Sequence, residues 1–237
     1  GKIKNAELKY NEKYHLNNIN FYFTNQKVGT IIDDAKFNYK KIKFLSKRIS
    51  IINTERINVE GDIKSEKVSI NLNEFKDLFE KDLNFIKDKE IKIETKNKFS
   101  FKIDKGKISK LKYSSEINLE NIILNPKNNL FKNYFKNYKD FISLQNNSVK
   151  LNYENMNLNV EGSSEYSFDS SNDKIKYKIT QEKNWYNFFT TINFDNNSIN
   201  IKPIAYSKDK NKKSSLELNG SYKKLRYKFN EIIYNEG

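Results

Sequence analysis

Apolar residues fall at every second position through most of this chain, and such alternation places one set of side chains on one face of a β-strand. The phase is clearest around glycine. Ile57, Val59, Gly61 and Ile63 share one parity, as do Leu158, Val160, Gly162 and Tyr166, and as do Leu216, Leu218, Gly220 and Tyr222. Asn-Val-Glu-Gly occurs at 58–61 and again at 159–162, with a looser copy ending at Gly220. A glycine on the apolar side of a strand removes a side chain there, which suits a bulge, a bend or a close backbone approach. The glycine spacings are unequal, so this is a recurrent device in a long sheet and not a fixed-period solenoid.

Other alternating runs precede and follow these. Ala6–Tyr10 is the first; Ile19, Phe21 and Phe23 share a side of the second; Ala35, Phe37 and Tyr39 form the third, and Ile42 and Phe44 continue it. Val68 and Ile70 form a partner to the first glycine-bearing strand. The connections are too short for crossover helices, so an antiparallel meander is predicted. Further strands are expected around Ile91–Ile93, Phe99–Ile103 and, after an Asp104-Lys105-Gly106-Lys107 hairpin turn, Ile108–Tyr113. Ile117–Ile122 follows, and beyond residue 148 every run reads as strand, with Val149, Leu151, Ile175, Tyr177 and Ile179 on apolar sides.

Two stretches change period. Leu72–Ile86 and Asn129–Ile142 carry apolar residues at three- and four-residue spacings, which predicts two amphipathic helices. The expected fold is therefore mostly β: one elongated domain over 1–237, a long antiparallel meander curled into an open groove, with a joint at 126–147. Gly61, Gly162 and Gly220 are expected to let the sheet curl. The abrupt strand-like start and end suggest a segment of a longer chain.

Composition narrows the chemistry. The chain has 237 residues, 14% aromatic, with a mean hydropathy of −0.87, so its apolar residues must be sorted by face. It contains no Cys, which excludes disulfides and thiolate metal sites. No signal peptide and no run of 18 apolar residues is found. The net charge of +14 invites a nucleic-acid reading, but only Arg48, Arg56 and Arg226 among the 44 basic residues are arginine. Bidentate phosphate and base recognition favours Arg. Tyr222–Phe229 interleaves rings with cations, yet an amphipathic strand explains that pattern without a nucleic-acid ligand. His15, the one histidine, falls at a turn-to-strand edge, where a lone surface His is usually inert, so no Ser-His-Asp or His-based metal constellation is expected. There is no phosphate-cradling glycine motif. No enzyme activity, cofactor or metal is expected.

Long meanders with phrases such as Leu16-Asn17-Asn18-Ile19-Asn20-Phe21 and Ile57-Asn58-Val59-Glu60-Gly61 resemble the AsmA-like proteins, and within them the TamB (translocation and assembly module) branch. The resemblance is a diffuse pattern over most of the chain. It implies a periplasmic, curled β-sheet in the envelope of a diderm bacterium, anchored through sequence elsewhere. It also implies phospholipid transport between inner and outer membranes and partnership with outer-membrane assembly proteins. Under it, Ile19, Phe21, Phe23, Phe37, Tyr39, Ile57, Val59, Val68, Ile70, Val149, Leu151, Leu158, Val160, Ile175, Tyr177 and Ile179 would face acyl chains. The alternatives are a β-sandwich interaction or adhesin module with a dry core, and a basic nucleic-acid binder whose affinity falls steeply with salt.

Overall fold

The computed structural model describes residues 1–9, 14–73, 85–125, 140–168, 171–182, 184–224 and 226–237. The chain is a meander: β1 (Lys2–Lys9), β2 (His15–Gln26), β3 (Gly29–Tyr39), β4 (Ile42–Asn53), β5 (Ile57–Asn71), β6 (Glu90–Asp104) and β7 (Lys107–Leu119). It continues through β8 (Ile122–Leu124), β9 (Ile142–Glu154), β10 (Asn157–Ser167), β11 (Asn172–Glu182) and β12 (Trp185–Asn193). A separate hairpin, β13 (Ile199–Ile201) and β14 (Tyr206–Lys208), precedes β15 (Ser214–Lys223) and β16 (Arg226–Glu236). Among the described residues the main sheet has fourteen strands in the order β1 to β7, β9 to β12, β15, β16, with β8 added on β9. Pairing is antiparallel from β1 to β5 and from β10 to β16. The expected hairpin turn forms, with Lys105 and Gly106 both at positive φ (49° and 75°), as a two-residue turn of the hairpin-favoured hand requires.

The chain divides into two compact units. The first is Gly1–Ile70, Lys92–Ile117 and Lys150–Met156; the second is Asn71–Ile91, Asn118–Val149 and Asn157–Gly237. No α-helix occurs among the described residues. The bodies of both expected helices fall on 74–84 and 129–139, outside the described residues. Their C-terminal ends are not helical: Ile86 bridges to Leu124, and Ile142 opens β9.

The expected curling into a groove is corrected: in neither unit is the sheet closed or strongly curled. The glycines meant to bend it serve another purpose. Gly162 lies opposite Tyr177, and a Cβ there would sit 2.2 Å from the Tyr177 ring. Gly220 lies opposite Phe188, whose ring would be 2.6 Å from an added Cβ. At Gly61 the same atom would meet Ile49 and the Phe99 ring, both at 3.0 Å. Each glycine is thus a slot filled by a neighbouring side chain, a known device for stabilising glycine in sheets.

In the first unit a cross-strand row runs Phe23, Ile32, Ile49, Gly61, and a second runs Leu16, Tyr39, Ile42. Alternation slips by one residue at Asn5, Asn18 and Asp34, each in the left-handed region (φ 53°, 51° and 50°). The pairings of β1 with β2 and of β2 with β3 shift register beside Asn5 and Asn18. These are β-bulges, and short polar side chains tolerate the conformation they impose. In the second unit Tyr166, Phe168, Phe194 and Ile199 form a buried cluster, with Ile142, Leu144, Ile175, Ile192, Ile201, Tyr206 and Leu216 packed against it.

Candidate functional site

The face carrying that cluster continues along β10–β12, β15 and β16 as cross-strand rows. One is Ser164, Ile175, Ile192, Leu216, Tyr234; the next is Gly162, Tyr177, Thr190, Leu218, Ile232. A third is Val160, Ile179, Phe188, Gly220, Phe229, and the last is Leu158, Gln181, Tyr186, Tyr222, Tyr227. The opposite side of the same strands is charged: Glu161 faces Lys178 with a 3.0 Å ion pair, and Glu165 faces Lys174.

One end of the apolar face is closed. The β13–β14 hairpin contributes Ile199, Ile201 and Tyr206 to the buried cluster. The Tyr166 hydroxyl donates to the Asn193 carbonyl, and burial holds its phenol above the ordinary value. Lys208 is 1% exposed. Its ammonium donates to the carbonyls of Phe194 (2.7 Å), Lys212 (2.9 Å) and Asp209 (3.1 Å), so it is a tethered cation inside a carbonyl cage. Burial pushes that ammonium below its ordinary pKa, against the pull of the Asp173 and Asp195 carboxylates. Asp173, also buried, accepts from the Asn196 backbone and from the Asn197 amide (2.6 Å). Burial still raises its pKa above 3.8.

Away from the hairpin the face opens. Tyr186 is 36%, Phe229 52% and Ile232 60% exposed. Val160, Tyr177, Ile179, Phe188 and Leu218 lie between, partly buried by one another. Phe188 and Phe229 meet edge to face at 5.8 Å. Burial holds the Tyr177 phenol above its ordinary pKa.

The predicted groove residues share this intermediate state. Ile19, Phe21, Phe23, Phe37, Tyr39, Ile57, Val59, Val68, Val149, Leu151, Leu158, Val160, Ile175, Tyr177 and Ile179 are all partly buried, and Ile70 is buried. They do not make one continuous apolar set. Glu66 and Lys67 are both exposed, so the inward side of β5 changes parity between Ile57 and Val59 and the later Val68 and Ile70. The inward side of β5–β7 also carries a polar network centred on Asn97. Its amide donates to the Ile63 carbonyl (2.9 Å) and Thr95 (3.1 Å) and accepts from Tyr113 (2.8 Å) and Ser115 (2.7 Å). On the charged side of the first unit, Lys2, Lys4, Lys36, Lys47 and Lys64 surround a depression of about 520 Å³ with Asp34. There Lys2 donates to the Tyr22 hydroxyl (2.9 Å) and lowers its pKa.

His15 sits 3.4 Å from Glu7 on the exposed side of β2. Among the described residues no group of three His, Cys, Asp or Glu could hold a metal ion, and no helix is long and apolar enough to cross a membrane. Sequence reasoning missed the Lys208 cage and the Asn97 network, and read the Tyr222–Phe229 rings as one side of an amphipathic strand. The Asp195-Asn196-Asn197 turn was the one available signal for the first.

No protein family, curated protein or solved structure matches this chain.

Proposed function

We propose that this protein is a non-enzymatic segment of an envelope lipid-transfer protein. The open apolar face of its second unit carries phospholipid acyl chains between the two membranes of a diderm bacterium and supports outer-membrane assembly. The observation that carries the reading is a face five strands wide, with two largely apolar middle rows, and closed by a hairpin at one end. Apolar patches rimmed by polar residues mark interaction surfaces. Acyl chains need no hydrogen-bond partner, and the rows from Val160 to Phe229 and from Gly162 to Ile232 offer only the Thr190 and Tyr177 hydroxyls. Rings laid over Gly162 and Gly220 keep this surface filled and low. The resemblance to the TamB branch supplies the periplasmic setting.

A phospholipid with a diazirine near its acyl terminus tests the reading by photo-crosslinking to the purified chain. Labels should fall on Tyr177, Phe188 and Leu218. Labels on Lys176 and Lys178, on the charged side, would sink it.

A further inference from the structure

At the end of the second unit farthest from the buried cluster, two hairpins turn side by side. Glu182 pairs with Trp185 across one and Lys223 with Arg226 across the other, and Tyr186 pairs with Tyr222 between them. Aromatic side chains concentrate here: Trp185 is 41%, Phe189 45% and Tyr227 66% exposed.

Their distribution over the two faces decides what they fit. Tyr186, Tyr222 and Tyr227 lie in the last row of the apolar face. Trp185 and Phe189, one residue out of phase with Tyr186 and Phe188, stand on the charged side. A folded partner lying on one face would meet only one of these sets. Rings on both faces around a pair of hairpin ends suit a medium that surrounds the end. Trp and Tyr, apolar in body and polar at the tip, concentrate at the membrane–water boundary.

Charge points the same way. Lys223, Lys224, Arg226 and Lys228 gather at the second hairpin, against Glu182 at the first. Lys223 already lies 5.0 Å over the Trp185 ring. A single-stranded nucleic acid would use the same cations, but it needs open ring faces for its bases. Here Tyr222 and Tyr227 rest on each other at 4.7 Å, and Lys223 covers Trp185.

We infer that this pair of hairpin ends docks on the surface of an anionic bilayer, with its rings at the boundary between headgroups and acyl chains and its cations on lipid phosphates. The inference does not depend on acyl chains occupying the apolar face.

Trp185 is the only tryptophan of the chain, so its fluorescence reads this site alone. Vesicles of phosphatidylcholine mixed with phosphatidylglycerol should shift its emission to the blue, and lipid brominated high on the acyl chain should quench it. Pure phosphatidylcholine should do neither. Lys224→Gln with Arg226→Gln, both exposed positions, should weaken partitioning about fivefold per charge removed, with the far-UV circular dichroism unchanged. An unshifted spectrum with the anionic vesicles would overturn the inference, as would a shift produced by a single-stranded oligonucleotide and not by vesicles. Phe188→Asp spoils the apolar face and leaves Trp185 in place. A retained shift in that variant supports docking by the hairpin ends, and a lost shift in a variant that still folds contradicts it.

Discussion

The same alternation is built into the inward sides of both units, yet the two sides are filled differently. Across β5–β7 of the first unit, Asn97 ties Tyr113, Ser115, Thr95 and the Ile63 carbonyl into one network. Ser65 joins it by accepting from the Thr95 backbone at 2.9 Å. A half-buried amide with every partner in place helps fix strand register, because any slip leaves polar groups unpaired. The second unit also holds a buried amide, Asn147, which donates to the Glu120 carbonyl (2.7 Å) and accepts from Ser164 (2.6 Å), and it adds shape. Tyr177 fits over Gly162 and Phe188 over Gly220, and the β13–β14 hairpin closes one end with Lys208 locked among carbonyls. Parity tells which way a residue points; it does not tell whether that side is dry. The proposed acyl-chain face rests on the second unit's rows, which run across five strands.

The difference can be attacked at four points. Gly220→Val should be the most damaging. Its Cβ would stand 2.4 Å from the Lys228 carbonyl oxygen as well as 2.6 Å from Phe188, and main chain cannot rotate aside. A loss of about 3 kcal/mol in urea unfolding is expected. A neutral result would mean that the ring does not occupy the slot. Lys208→Met keeps the buried stem and deletes the ammonium, leaving three carbonyls short of a donor. It should cost about 2 kcal/mol, read as a lower thermal midpoint.

Asn97→Leu probes the other unit. Tyr113 and Ser115 lose their acceptor, so about 1–2 kcal/mol should go, with faster amide exchange in β6. If stability instead rises, the first unit tolerates an apolar inward side and the contrast between the units dissolves. The smallest effect concerns pH. Asp173 binds its proton more tightly folded than unfolded, chiefly through burial. Its favourable contribution is therefore present below the ordinary value of 3.8 and is lost as pH rises through the higher folded value. The stability of the wild type relative to Asp173→Asn should fall over that window, and a flat difference would refute the assignment.

Much of the fold is written in the alternation, because a half-wet antiparallel sheet needs it on every strand. The strands around the repeated glycines and the meander order follow from it, and the Lys105-Gly106 turn follows from its own turn residues. The changes of phase were also legible, and were not read. Ile3 to Ala6, Leu16 to Ile19 and Ile32 to Ala35 each step by three, with Asn5, Asn18 or Asp34 just before the new phase. A three-residue step before an Asn or Asp marks a bulge, since those residues enter the left-handed region most readily. Lys110 makes the same step after Ile108 without that chemical cue. Another change of phase falls at Glu66-Lys67, and missing it placed Val68 and Ile70 on one side with Ile57 and Val59; all four lie in β5, so Val68 and Ile70 do not form the separate partner strand expected.

The candidate site was less legible, for physical reasons. A lysine reads as surface until its carbonyl cage is assembled from Phe194, Asp209 and Lys212, which the β13–β14 turn brings together. Glycine on an apolar parity reads equally as a hinge or as a slot. The ring opposite decides, and that depends on register with a neighbouring strand.

Native mass spectrometry with lipid extraction on the chain purified from a bacterium tests the central claim most directly. Phospholipid should co-purify, and Phe188→Asp should remove it while the variant still folds. A clean lipid-free mass for the wild type, with one cooperative and tightly packed unfolding transition, would contradict the acyl-chain face and favour an interaction module with a closed core.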